Sequence, residues 1–137
     1  MTEQEIIYTM ALTRVPRVNT AAQHRLMEEA GSASAVFDHR PHIRDFYPEA
    51  SDKLSAALQE MEVQGARAEE ELEFIRKHHI KCLCYHDTDY PSRLRECDDA
   101  PLLLYYKGNA DLNRTYVVNM VGTRHCTEYG KDICRRF

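Results

Sequence analysis

The sequence predicts a chain of the α+β / α/β class, with a small helical module over residues 1–66 and the incomplete start of an α/β domain over residues 67–137. Two observations carry this. Apolar residues recur at helical spacing as far as Ile75, then alternate in strand fashion from Ile80. Further on, the β-branched run from Tyr116 to Val121 ends abruptly in Gly122-Thr123-Arg124 and gives way to a helix-like stretch over 128–136. Strand, glycine turn and helix start, in that order, form the backbone geometry of an anion cradle.

The elements follow in chain order. Ile6, Ile7 and Met10 share one helical face, and Arg14-Val15-Pro16 stops that helix. Asn19-Thr20 is a fitting N-cap for a second helix through Ala30, with Leu26 and Met27 inward and Gly31 as its stop. Residues 32–37 suggest a third short turn of helix, and Pro41 and Pro48 punctuate the stretch after it. Small helices joined by tight turns fit a helix-hairpin-helix or SAM-like module. Residues 12–19 resemble the hairpin of DNA-binding units of that kind, with Arg17 and Asn19 where glycines normally stand. DNA contact and a packing or partner role are both open for this hairpin.

Leu54, Leu58, Met61, Gly65, Ala68, Leu72 and Ile75 then form one narrow apolar stripe. Two of those positions are Gly and Ala, which favours a connector helix packed on its own chain over a coiled coil, with Gly65 as the place for a break. Residues 80–85 alternate as a strand and end in the polar turn 86–89. Tyr90-Pro91-Ser92-Arg93-Leu94 opens a helical turn, with proline near its first position. Residues 101–107 read as a second strand stopped by Gly108-Asn109, and 116–121 as a third. An α/β part of this size cannot cover both faces of a doubly wound sheet, so the expectation is the N-terminal piece of a longer protein.

Bulk properties narrow the function classes. A chain of 137 residues with 43% apolar content can build a core. No apolar run approaches the ~18 residues a membrane span needs, and Met1-Thr2-Glu3-Gln4-Glu5 lacks the layout of a secretory signal. A soluble, cytoplasmic protein without membrane partners is expected. Five cysteines are an odd number for a disulfide frame and imply free thiols. The net charge of −4 does not itself point to nucleic acid, but its distribution is uneven. Acid concentrates over 60–73, whereas from Leu112 to Phe137 five bases outnumber Glu128 and Asp132.

Candidate chemistry is sparse. Cys82, Cys84 and His86 would lie along one strand face about 6.5–7 Å apart, too spread for one tetrahedral zinc without a bulge. Buried strand cysteines are the expectation, with no metal and no cofactor. Cys126 stands near a helix start beside His125, but no Gly-x-Ser-x-Gly elbow exists, and no enzyme is expected. At the glycine turn, Thr123 offers a hydroxyl and Arg124 a planar charged fork suited to phosphate. An ordinary β-to-α turn with a surface arginine is the competing reading. Tyr105, Tyr106, Tyr116 and Tyr129 flank the basic segment, for base stacking or for strand packing.

Three motifs occur in order: Tyr90-Pro91-x-x-Leu94; Pro101-Leu102-Leu103-Leu104-Tyr105-x-Lys107-Gly108-Asn109; and Val121-Gly122-Thr123-Arg124-x-x-Thr127-x-Tyr129-Gly130. Together they resemble the DNA-processing protein A (DprA/Smf) family from about Arg67 onward. Residues 1–65 are more weakly similar to that family's SAM-like domain. The resemblance implies a SAM-like domain followed by an extended Rossmann-like fold. It further implies single-stranded DNA binding, protection of incoming strands in natural transformation, and loading of a RecA-type recombinase. Family members usually carry Gly-Ser-Arg at the turn, where this chain has Gly122-Thr123-Arg124. The implied DNA-binding residues are Gly122, Thr123, Arg124, Thr127, Tyr129 and Lys131. The recombinase surface and the homodimer contact of the full-length protein are expected beyond Phe137, so the chain alone is expected to bind weakly. A phosphoribohydrolase-like nucleotide enzyme and a protein-interaction module are the alternatives.

Overall fold

The computed structural model describes residues 2–137. Its helices are α1 (Glu3–Thr13), α2 (Thr20–Ala30), α3 (Ala33–His39), α4 (Asp52–Leu58), α5 (Met61–Lys77), α6 (Ser92–Arg95) and α7 (Glu128–Arg136), with a 3-10 segment Arg40–Asp45 after α3. β1 (Lys81–Cys84) and β2 (Leu103–Tyr106) pair antiparallel, Cys82 opposite Tyr105 and Cys84 opposite Leu103. The chain is α+β.

Local chemistry sets the helix boundaries. Thr2, Asn19, Ser32 and Ser51 each accept the N–H three residues on, at the starts of α1, α2, α3 and α4. Gly31 ends α2 at φ 84°, in the left-handed region where a Cβ is penalised. Arg17 adopts a similar conformation at φ 68° in the hairpin between α1 and α2, so the chain keeps a glycine-like turn with a non-glycine residue. The hairpin is held from beneath by buried Val15 and Val18, and by Gln23 Nε2, which donates to the Val18 carbonyl at 3.0 Å.

The 54–75 stripe is divided, but not at Gly65. α4 ends at Leu58 and α5 starts at Met61, with Gly65 inside α5. The bend falls between two buried anchors, Leu58 and Met61, which both turn into the helical core. From there α5 runs unbroken past residues 66 and 67 and packs along α1. Ile7 and Met10 on α1 meet Ala68, Leu72 and Ile75 on α5, as a connector helix packed on its own chain should.

The strand pair closes this arrangement. Ile80, Cys82 and Leu103 cover one end of the α1–α5 seam. Leu102 enters the larger core with Leu12, Leu26, Val36 and Leu58, and Tyr85 packs at its edge. His24 on α2 reaches the Ala100 carbonyl at 2.6 Å and lies edge-on to Tyr85. Tyr105 points outward and donates its hydroxyl to Glu71 on α5, and Glu71 also holds Arg14 at 2.7 Å.

One expected strand is absent. Residues 116–121 form no strand, and Tyr116, Val118 and Val121 are about nine-tenths exposed. A strand exists only by exchanging backbone hydrogen bonds with a neighbour. Among the described residues, the ladder comprises β1 and β2 alone.

Two consequences can be measured. Leu102→Ala should cost about 2–5 kcal/mol, and should lower the melting temperature of the helical circular dichroism signal, because the hairpin and the helices share a core. A helical transition unchanged by that substitution would show the two parts unfolding separately. Burial, and next the Glu71 carboxylate, hold the Tyr105 phenol above its ordinary value. A raised folded value stabilises at pH below the unfolded pKa of about 10 and loses that contribution as pH rises beyond it. Tyr105→Phe should therefore flatten the fall in melting temperature between about pH 9 and about pH 11.

Candidate nucleic-acid interface

The Tyr90-Pro91 turn positions the C-terminal segment. Tyr90 is fully buried, and its hydroxyl donates to the Pro101 carbonyl at 2.7 Å. Pro91 caps α6, and its carbonyl accepts the Leu94 N–H at 3.0 Å. The side chain of Asn113 grips this turn from outside. Its Oδ1 accepts the Ser92 N–H at 2.7 Å, while its Nδ2 donates to the carbonyls of Tyr90 at 3.1 Å and Thr88 at 3.3 Å. Arg93 completes the clamp by donating to the carbonyls of Arg114 and Thr115, at 3.0 and 2.9 Å. The segment from Tyr116 onward thus leaves the body at a fixed point.

Sequence reasoning placed Arg93 in the helical turn without a role for its side chain, and did not single out Asn113. A usable signal was Asp111-x-Asn113, where the Asp111 carboxylate takes the Asn113 N–H at 2.9 Å in an Asx turn. Gly108, which ends β2, has φ 148°, and a Cβ there would approach the Tyr106 hydroxyl to 3.1 Å.

Past the clamp, Gly122 lies in open space. An added Cβ would meet no atom within 4 Å, and its φ is not positive, so the chain alone does not require glycine there. The Thr123 hydroxyl donates to the His125 carbonyl at 3.0 Å. Arg124 is exposed and makes no hydrogen bond or ion pair among the described residues. The helix runs over Glu128–Arg136, the stretch expected from the sequence. Thr127 is its N-cap, accepting the Gly130 N–H at 3.2 Å, which leaves the N–H groups of Glu128 and Tyr129 open at the helix start. Tyr129 is 76% exposed, enough of its ring to stack on a ligand. Lys131 Nζ is paired with Glu128 at 2.6 Å.

Gly122, Thr123 and Tyr129 line one hollow of about 520 Å³, together with Met120, Cys126 and Ile133. Arg124, Thr127 and Lys131 do not line it. Six sequence-selected residues therefore divide into a largely apolar hollow, a free guanidinium, a helix cap and a lysine with a carboxylate partner.

The cysteines on β1 have a different character. Cys84 is buried and Cys82 partly so. Hydrogen bonding between the two thiols, and next burial, push Cys82 well above the ordinary thiol value. Among the described residues no three His, Cys, Asp or Glu side chains gather as metal ligands would, and no helix is long and apolar enough to cross a membrane.

The α+β body thus carries an exposed arginine loop followed by an N-capped helix with basic residues in its last turn. Comparison with known proteins is more specific. Residues 81–137 match the family model of DNA recombination-mediator protein A. Over 44 residues the chain is 50% identical to DNA processing protein DprA of Streptococcus pneumoniae (strain ATCC BAA-255 / R6), a stretch equal to 32% of this chain and 16% of that protein. No solved structure matches the chain. Over residues 81–137 the chain is thus similar to the DNA recombination-mediator protein A family, and the match spans about a sixth of the length of the pneumococcal relative.

Because Thr127 caps α7, Thr127→Ala should destabilise that helix by about 1 kcal/mol. Far-UV circular dichroism should show a loss of helix, and Thr127→Ser should restore it. Unchanged helicity in Thr127→Ala would exclude the cap.

Proposed function

We propose that this chain belongs to a DNA-processing protein of recombination, and that it binds single-stranded DNA through the segment 122–131. The observation that carries the proposal is the exposed, unpaired Arg124, set between a glycine loop and the open N–H groups of α7, within a segment matching a recombination-mediator family. A single strand presents phosphates without a fixed groove, so a charged fork and backbone donors bind it with little sequence preference. Tyr129 supplies an exposed ring for stacking on a base, and the Thr123 hydroxyl a hydrogen bond once it leaves the His125 carbonyl.

The family reading extends to architecture and partners. The helical part, 1–66, is SAM-like, and 67–137 begins a Rossmann-like domain in which 116–121 becomes a strand when it gains neighbours. Its cellular role is protection of incoming single strands and delivery of a RecA-type recombinase, in the cytoplasm, as a homodimer of the full-length protein. No catalytic step and no cofactor belong to this reading.

The test is a salt titration of binding to fluorescent oligothymidylate, comparing the chain with Arg124→Ala. Losing one phosphate contact should flatten the slope of log affinity against log salt by about 0.7, and should weaken binding equally for oligonucleotides of different sequence. An unchanged slope removes Arg124 as a phosphate ligand. Absence of binding at low salt removes the segment as a DNA site in this chain.

A further inference from the structure

The turn from α5 into β1 is basic. Phe74-Ile75-Arg76-Lys77-His78-His79-Ile80-Lys81 holds three permanent cations and two imidazoles, and no carboxylate. Arg76 is taken up by Glu3 at 2.7 Å. Lys77 and Lys81 are exposed and have no ion-pair partner among the described residues. Further up α5, Glu70 and Glu71 are balanced by Arg67 and Arg14, and Glu73 lies with Glu3 and Arg76 in a separate hollow. The charge left over at the turn itself is therefore positive, as a polyanion contact requires.

The backbone of this turn is fixed. The Ile80 N–H returns to the Ile75 carbonyl at 2.8 Å and the His79 N–H to the Arg76 carbonyl at 3.2 Å, a double closure of the helix end. That closure needs one left-handed residue, usually glycine, and here His79 supplies it at φ 53° with its imidazole exposed. An aromatic pair stands beside it in water. Phe74 is 56% exposed, and its ring centre lies 4.2 Å from that of His78, the planes tilted by 41°. Phe74 is not needed inward, because Leu72 and Ile75 carry the packed side of α5 there. Open rings among unpaired cations are the chemistry that holds a single strand, rings against bases and ammonium groups against phosphates. We propose that the α5–β1 turn is a second contact for single-stranded nucleic acid, with Phe74 and His78 stacking on a base and Lys77 and Lys81 holding phosphates. This inference rests on the DNA reading of the segment 122–131 and extends it to the junction between the helices and the hairpin.

Salt titrations of the whole chain, with fluorescent oligothymidylate and with an abasic strand of the same length, test it. Lys77→Ala with Lys81→Ala should flatten the slope of log affinity against log salt by about 1.4, about 0.7 for each lost contact. Phe74→Ala should weaken oligothymidylate binding about tenfold with the slope unchanged, because the ring carries no charge. The same substitution should leave the abasic strand unaffected, and Phe74→Trp should keep the parent affinity. If Arg124→Ala flattens the slope and the lysine double variant does not, the turn is overturned as a contact and the 122–131 site stands. A slope flattened by the lysine double variant but not by Arg124→Ala supports the turn and removes Arg124. Absence of binding at low salt overturns both. A Phe74→Ala loss of equal size on the abasic strand overturns the stacking role.

Discussion

The seam between α1 and α5 is the contact on which the rest of the molecule depends. Ile7 and Met10 leave the water chiefly by packing on Ala68, Leu72 and Ile75, with Ile80, Cys82 and Leu103 at the margin of that cluster. Once α5 is laid along α1, its C-terminal end delivers Ile80 and β1 to the edge of the helical core. β2 follows by register, and Leu102 enters that core as a consequence. The Tyr90 plug and the Asn113 clamp stand on the hairpin so placed. The start of the C-terminal segment is therefore fixed, at several removes, by helix packing near the N-terminus.

Much of this was legible from residue order. Asn19, Gly31 and a strand within 80–85 follow from capping and alternation, which are local and therefore visible in a single sequence; β1 itself runs Lys81–Cys84. Arg17 in a glycine-like conformation was legible as a position, through the hairpin pattern, but not as a backbone angle. The misplaced break between α4 and α5 has a tertiary cause: propensity singles out Gly65, whereas the burial of both Leu58 and Met61 bends the chain before it. The missing strand at 116–121 is a failure of another kind. Its composition is that of a strand, but pairing is a property of two segments, and among the described residues no second segment lies beside it.

Of the site, the sequence identified the segment more readily than the roles within it. Thr127 reads as a polar group near phosphate, yet its hydroxyl is engaged with Gly130. Lys131 reads as a free cation, yet Glu128 lies one turn back. Among the described residues, Arg124 is the expected charge left without a partner. The family motif at Tyr90-Pro91 also has a structural reason of its own, because a buried tyrosine and a rigid turn create the surface that Asn113 and Arg93 grip.

The carboxylate of Glu5 has a wider consequence. It lies across the start of α3, taking the N–H groups of Ala33 and Ser34, at 2.5 and 3.1 Å, and the Ser34 hydroxyl. A side chain of α1 therefore occupies the place that a bound anion would take. With Glu3 and Glu5 in the first turn of α1 and Asp52 in that of α4, the helical part carries its own negative charge wherever those helix ends would attract another. At those helix ends the chain's own carboxylates already stand where a bound anion would sit. The start of α2 differs, with no acidic residue in its first turn and Asn19 as its cap, so the helix ends of this part are not equivalent toward charge.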